Sequence, residues 1–159
     1  MLENNARTKI AEAIQNSIIK REDGQGGHRT DDGRKDFFVE RDGERFAGTH
    51  LIIDLWAAER LDDIAFVRET LTDCVAAAGA TLLSIDLHHF TPNGGVSGVA
   101  VLAESHISIH TWPECGYAAL DVFMCGDARP EDCVPVLREA FKPGRLAVQE
   151  LRRGRELPL

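Results

Sequence analysis

The sequence predicts an α+β fold in which a mainly antiparallel sheet carries helices on one face, as a two-layer sandwich. From Gly48 onward, six stretches alternate apolar and polar side chains, which is typical of strands. Two further stretches repeat apolar residues at helical intervals. Short connections join most of the middle strands, and short connections favour antiparallel neighbours because parallel strands need long crossovers. The 159-residue length suits one domain with a single core.

The predicted elements follow one another in a regular order. They are a strand over 49–56, a helix over 64–79, strands over 81–90, 97–104, 106–112 and 117–124, a helix over 132–141, and a strand over 145–151. Asp62 or Asp63 can cap the start of the first helix, and Gly79 its end. Cys74 and Cys133 fall on apolar helix faces, so we expect both in the core.

Residues 1–46 differ in composition from the rest of the chain and are predicted to form an N-terminal arm. A short amphipathic helix is expected over about 6–20, followed by a polar, glycine-bearing linker at 22–36. Residues 47–159 then form a single domain. The role of the arm stays open at this point.

Composition excludes several classes of function. No apolar run is long enough to cross a bilayer, and the N-terminal residues lack the pattern of a secretory signal, so we expect a cytoplasmic protein. The net charge of -8 argues against nucleic acid as a partner. The four cysteines show no CxxC spacing, which favours free thiols.

Side chains able to act as nucleophiles, acids or bases are concentrated in residues 97–126. They are Ser97, Ser105, His110 and Cys125, which all lie on or beside predicted strands. An esterase is disfavoured because there is no GxSxG motif and the surroundings of Ser105 are not strand, turn and helix. A hydrolase using Cys125 and His110 fits the residue types but leaves both serines without a role.

A zinc site is also disfavoured. His88 and His89 are adjacent on a strand, so they point to opposite faces and cannot both bind one metal. His106, His110 and Cys125 provide no ligand pair of the usual spacing.

Two segments, ESHISIHTWPE at 104–114 and GYAALDVFMCG at 116–126, together resemble the signature of the bacterial and archaeal S-adenosylmethionine decarboxylases, a self-processing, pyruvoyl-dependent family. The resemblance extends from Gly48 to Gly154. It implies that the chain cleaves itself between Glu104 and Ser105, giving chains of residues 1–104 and 105–159. Ser105 would become a pyruvoyl group at the head of the second chain, with neither metal nor pyridoxal phosphate required.

The resemblance also implies roles for the neighbouring residues. His110 would take a proton during the elimination step, a task that suits an imidazole near neutral pH. Ser97 would hydrogen-bond the oxygen of the cyclic intermediate. The pyruvoyl carbonyl would take the substrate amine as a Schiff base, and Cys125 would return a proton to the substrate carbon after carbon dioxide leaves.

Substrate choice is less constrained. By resemblance, Phe90 would stack on adenine, while Trp112 and Glu114 would lie near the site, and the family implies a homodimer acting on a small molecule. Departures from the family pattern, such as Trp56-Ala57-Ala58 and Cys115, leave arginine or ornithine as alternative substrates. Carboxylates that could bind their terminal cation are Asp54, Glu59, Asp62 and Asp63. Both readings belong to polyamine synthesis, and a relative that does not self-cleave and only binds a metabolite is the third alternative.

Overall fold

The computed structural model describes residues 38–156. The predicted helix over 6–20 and the polar linker at 22–36 lie outside the described residues. Within them, the chain forms eight strands and two α-helices. The strands are β1 (Val39–Arg41), β2 (Glu44–Phe46), β3 (Gly48–Trp56), β4 (Leu82–His89), β5 (Val96–Leu102), β6 (Ser105–Trp112), β7 (Tyr117–Met124) and β8 (Arg145–Arg153). The helices are α1 (Ile64–Ala78) and α2 (Cys133–Phe141), and short 3-10 turns occupy Pro113–Cys115 and Pro130–Asp132.

Six strands form one sheet in the order β4-β5-β6-β7-β3-β8, and every neighbouring pair is antiparallel. The α+β prediction and all six predicted strands are confirmed. β7, and β3 from Thr49 onward, alternate between buried and partly exposed residues, as a sheet with one covered face requires.

The two helices cover one face of this sheet, which we call the helix face; the other is the open face. Buried side chains of the helix face and of α1 and α2 form the core, and include Leu51, Ile53, Leu55, Leu71, Ile107, Ile109, Leu120, Val122, Leu137 and Phe141. The open face carries the intervening residues, among them His50, Asp54, His106, Ser108, His110 and Asp121. Polar residues along the middle of a sheet are thus left without a covering layer in the single chain.

Both helices begin and end where the sequence predicts. Asp63 is the N-cap of α1, and its carboxylate accepts the Phe66 N–H at 3.0 Å, while Gly79 ends the helix with a φ of 67°. Cys74 and Cys133 are fully buried against each other, and hydrogen bonding with Cys133, together with burial, raises the pKa of Cys74 well above its ordinary value. No helix within residues 38–156 is both long and apolar enough to span a membrane.

Residues 39–46, which we assigned to the arm, form a hairpin instead. Phe46 is fully buried, Arg152 of β8 binds the carboxylates of Asp42 and Glu44, and Ala47 N–H donates to the Arg153 carbonyl at 2.8 Å. The packed region therefore begins before residue 47. The physical reason is that one buried aromatic and an ion-pair cluster hold a segment whose polar composition resembles a linker.

The cap of α1 predicts a pH-dependent contribution to stability. Hydrogen bonds from the Phe66 N–H and from Arg60 lower the pKa of Asp63. Asp63→Ala should lower the free energy of unfolding by about 1 kcal/mol near neutral pH. Because the folded pKa is depressed, this stabilisation is complete above the unfolded pKa of about 3.9 and is lost as the pH falls through the folded pKa.

Urea unfolding at neutral and acidic pH measures this contribution. Asp63→Asn is the matched control, since it keeps the cap oxygen without the charge and should retain most of the stability at both pH values. Equal stability of wild type and Asp63→Ala near neutral pH would contradict the assignment of the cap.

Candidate functional site

The turn between β5 and β6 contains the predicted cleavage point. Leu102 pairs with Ser105, so the loop consists of only Ala103 and Glu104, and the Glu104-Ser105 bond lies at its exit. Ser105 has a φ of 153°, a conformation that residues with a side chain rarely adopt. Such a backbone typically costs about 1–3 kcal/mol, so the bond predicted to break is next to a strained residue.

A comparison with the β1–β2 hairpin explains the strain. That hairpin also has a two-residue loop, Asp42-Gly43, in which both residues have positive φ, as the favoured turns for twisted strands require. Neither Ala103 nor Glu104 has a positive φ. The β5–β6 loop is therefore not one of the turns that match strand twist, and the positive φ of this reversal lies at Ser105, the residue after the loop.

Cys125 binds the carbonyl oxygen of the predicted cleavage point. Its backbone N–H donates to the Glu104 carbonyl at 3.2 Å and its thiol donates to the same oxygen at 2.9 Å. Two donors on one carbonyl oxygen are the arrangement that stabilises negative charge developing there during attack on the carbonyl carbon. We call Glu104, Ser105 and Cys125 the cleavage cluster.

Thr81 holds the side chain of Glu104, a contact that sequence reasoning missed. The Thr81 N–H donates to one carboxylate oxygen at 2.9 Å and its hydroxyl to the other at 3.2 Å. The Thr81 carbonyl in turn accepts the Ala103 N–H at 3.0 Å. No pattern in the sequence marks this contact, because it depends on where the start of β4 lies relative to the β5–β6 turn.

A second group of predicted residues meets at the opposite end of the sheet. Ser97 and His110 are paired across β5 and β6, and the serine Oγ lies 2.9 Å from the imidazole Nδ1. A cleft of about 350 Å³ adjoins them and is lined by Phe90, Trp112 and Glu114 together with Ser97, Thr111 and the 91–95 turn. We call Phe90, Ser97, His110, Trp112 and Glu114 the pocket cluster.

The buried hydroxyl of Thr111 fixes the floor of this cleft. It accepts the Val96 N–H at 2.7 Å and donates to the Leu61 carbonyl at 2.7 Å. Thr111 is 5% exposed, so both partners lie in surroundings where a lost hydrogen bond is costly. The turn that carries Phe90 and the loop before α1 are thereby joined to β6.

One chain does not bring the two clusters together. Ser105 and His110 lie at opposite ends of β6, five positions apart, and a strand rises about 3.3 Å per residue, so their backbones are separated by roughly 16 Å. Ser97, paired with His110, is equally remote from the Glu104 carbonyl. The structure therefore places Ser105 next to the Glu104 carbonyl that Cys125 contacts, and pairs Ser97 with His110, but it does not bring the two clusters together.

Between the clusters, the open face carries a polar network. Asp121 accepts hydrogen bonds from Ser108 at 3.2 Å and contacts His50 Nε2 at 3.0 Å. Tyr117 donates its hydroxyl to Asp54, and that hydrogen bond raises the pKa of Tyr117 above its ordinary value. Asp54, a predicted substrate ligand, is thus engaged within the chain.

Among residues 38–156, no group of three or more His, Cys, Asp or Glu side chains is placed so that it could hold a metal ion. Cys115 is an exposed free thiol beside Glu114, and it makes no part of either cluster.

Comparisons with known proteins identify similar chains. Residues 49–154 match the model of a family described as S-adenosylmethionine decarboxylase. The S-adenosylmethionine decarboxylase proenzyme of Thermomicrobium roseum is 50% identical over 108 residues, which are 67% of this chain and 93% of that protein. That of Methanococcus vannielii is 53% identical over 110 residues, covering 67% and 89% respectively. The crystal structure of the adenosylmethionine decarboxylase from Aquifex aeolicus aligns with a TM-score of 0.62 at 37% identity, covering 67% of this chain and 90% of that one.

The contact between Tyr117 and Asp54 can be tested by titration, because Tyr117 is the one tyrosine of the sequence. A carboxylate that accepts from the phenol favours the neutral phenol, so phenolate absorbance should rise at a pH above the ordinary value of about 10. Asp54→Asn should lower the midpoint. Asp86→Asn, which removes a carboxylate from β4 on the same face, should leave it unchanged. An unaltered midpoint in Asp54→Asn would contradict the contact.

Proposed function

Because the chain belongs to the S-adenosylmethionine decarboxylase family, we propose that it is a self-processing lyase that converts S-adenosylmethionine to its decarboxylated form and carbon dioxide for polyamine synthesis. The single observation that carries the proposal is the Glu104 carbonyl, which accepts two hydrogen bonds from Cys125 beside a serine with strained backbone. A peptide bond in this state is prepared for attack by the neighbouring hydroxyl.

Self-processing begins with the Ser105 hydroxyl. Its oxygen attacks the carbonyl carbon of Glu104, the new C–O bond replaces the C–N bond, and the hydroxyl proton ends on the freed amine. Cys125 stabilises the oxyanion in between. The ester releases the strain at Ser105, because that residue is no longer held in a peptide bond to Glu104.

Elimination then separates the two chains. A base removes the α proton of Ser105, and the bond from the Ser105 Cβ to the ester oxygen breaks. The main-chain carbonyl group of Glu104 leaves as the C-terminal carboxylate of the chain of residues 1–104. The remaining dehydroalanine takes up water and loses ammonia, which leaves a pyruvoyl group on the chain of residues 105–159. An imidazole near neutral pH suits the proton removal, and His110 is the proposed base.

The cleavage cluster fits the pyruvoyl group, since the group would be made from Ser105 in place, beside a thiol. A pyruvoyl carbonyl supplies an electron sink for loss of carbon dioxide from an amino acid bound through its amine. Cys125 would supply the proton that the substrate carbon then needs, because a thiol is mostly protonated near neutral pH yet gives up its proton readily. No metal ligand is required in this scheme.

The separation of the clusters supports a site shared between two chains. A two-fold axis lying between two open faces and running across the strands would put the cleavage cluster of one chain over the pocket cluster of the other. His110 of the partner subunit would then reach Ser105, and each dimer would contain two sites. The polar network around Asp121 would be covered in the same step, with its hydrogen bonds already made within each chain.

The pocket cluster suits a nucleoside. Phe90 and Trp112 are 49% and 41% exposed, so part of each ring is accessible for stacking on adenine. The carboxylate of Glu114 can accept hydrogen bonds from ribose hydroxyls. Of the carboxylates considered for arginine or ornithine, Asp54 already accepts one hydrogen bond, from the Tyr117 hydroxyl.

Replacing Ser105 tests the reaction. The wild-type chain should appear in intact mass spectra as two chains, with the larger ending at Glu104, and should release carbon dioxide from S-adenosylmethionine but not from arginine or ornithine. Ser105→Ala should stay whole and inactive, because alanine has no hydroxyl to attack. An intact, inactive wild-type chain would refute the self-processing mechanism, whereas activity on arginine alone would refute the substrate.

Complementation tests the shared site. Co-expressed Ser105→Ala and His110→Ala chains, each inactive alone, should form mixed dimers in which one site combines Ser105 and His110 from different chains. Random pairing should restore about a quarter of wild-type sites, since roughly half of the dimers are mixed and each has one complete site. Purified mixed dimers without cleavage or activity would show that each site is built within one chain.

A further inference from the structure

Resting on the proposed self-processing, we propose that Thr81 is a positioning residue for cleavage, because it holds the Glu104 side chain so that the scissile carbonyl stays against Cys125. Thr81 contacts Glu104 through both of its donors, at 2.9 and 3.2 Å, and the Ala103 N–H through its carbonyl at 3.0 Å. These three hydrogen bonds join one residue to both residues of the β5–β6 loop.

Thr81 is itself fixed from both sides. It follows the end of α1, where the Gly79 N–H donates to the Ala76 carbonyl and the Ala80 N–H donates to the Val75 carbonyl. It precedes β4, whose first residue pairs with Leu102 at the end of β5. The helix end and the strand thus carry Thr81 as a rigid support for the loop.

Glu104 is consequently held at its two ends. Its carboxylate is bound by Thr81 and its carbonyl oxygen by the N–H and thiol of Cys125. With either end free, rotation about the Glu104 backbone would let Ser105 leave its φ of 153°. The two contacts together maintain both the strained conformation and the alignment of the carbonyl with its donors.

Thr81 touches no atom that changes bonding in the reaction. The Ser105 oxygen, the Glu104 carbonyl carbon and the amide nitrogen exchange bonds, and the hydroxyl proton passes to that nitrogen, while the Glu104 carboxylate only anchors the loop. Thr81 should therefore act by aligning the carbonyl for attack, so its effect is expected on the acyl shift rather than on the later elimination.

The experiment follows cleavage in the full-length chain after pulse labelling in a cell-free synthesis reaction. Thr81→Val removes the hydroxyl donor and should slow cleavage by about tenfold, the effect of losing one hydrogen bond to a charged group. Thr81→Ser restores the donor and should cleave within about twofold of wild type. Thr72→Val is the matched control, since the Thr72 hydroxyl bonds only its own helix, at the Arg68 carbonyl, and should leave the rate unchanged.

Hydroxylamine, which cuts esters, separates the two steps. The His110→Ala chain lacks the proposed base for elimination, so it should accumulate the ester and be cleaved by hydroxylamine. The Thr81→Val chain should form little ester, so hydroxylamine should not speed its cleavage. Urea unfolding of Thr81→Val and Thr81→Ser in the uncleavable Ser105→Ala chain measures their effect on stability independently of the reaction.

Slow cleavage of Thr81→Val with recovery in Thr81→Ser, at a stability that does not account for the difference, supports the proposal. Cleavage of Thr81→Val at the wild-type rate overturns it, as does equal slowing in Thr81→Ser accompanied by equal destabilisation. Accumulation of ester in Thr81→Val also overturns it, by moving the defect to elimination. A wild-type chain that stays whole would refute the self-processing itself, and so is distinguished from failure of the Thr81 proposal alone.

Discussion

The two-residue turn between β5 and β6 is the constraint on which the proposed chemistry depends. Antiparallel pairing of Leu102 with Ser105 leaves only Ala103 and Glu104 to reverse the chain. Neither of these residues has the positive φ that the favoured two-residue turns require, and the positive φ lies at Ser105 instead. Elsewhere in the chain an Asp-Gly loop makes the same reversal with the favoured geometry. The contrast shows that a two-residue reversal in this chain does not by itself require a positive φ at the residue that follows the loop.

The sheet holds the cleavage cluster and the pocket cluster apart within one chain. Because β6 runs from the cleavage cluster to the pocket cluster, its length alone separates Ser105 from His110 by roughly 16 Å. No side-chain rotation closes such a distance, and a strand paired on both sides does not bend to do so. In the proposed dimer, a second copy of the chain with the opposite strand direction would bring the two clusters together without deforming either sheet, so one arrangement would account for both the open face and the divided site.

Much of the fold followed from the sequence because local patterns determine it. Alternation predicted the six strands of the sheet, and the Asp62-Asp63 pair and Gly79 predicted the ends of α1, where Asp63 is the cap. The hairpin at 39–46 was missed although Asp42-Gly43 is a strong turn signal, because its flanking residues are charged and only Phe46 is buried. The strand order was not predictable, since it rests on contacts between residues distant in sequence.

The candidate site was predictable in its residue types but not in its arrangement. Spacing and resemblance identified Ser97, Ser105, His110 and Cys125, yet neither contains the information that these residues form two pairs at opposite ends of one strand. Ser97 was expected to stabilise the oxyanion, whereas within one chain the donors on the Glu104 carbonyl come from Cys125. Cys125 would therefore serve twice, first as a donor to the carbonyl before cleavage and then as a proton source for the substrate. The two tasks need the same protonated thiol at the same place, so one residue can meet both without moving.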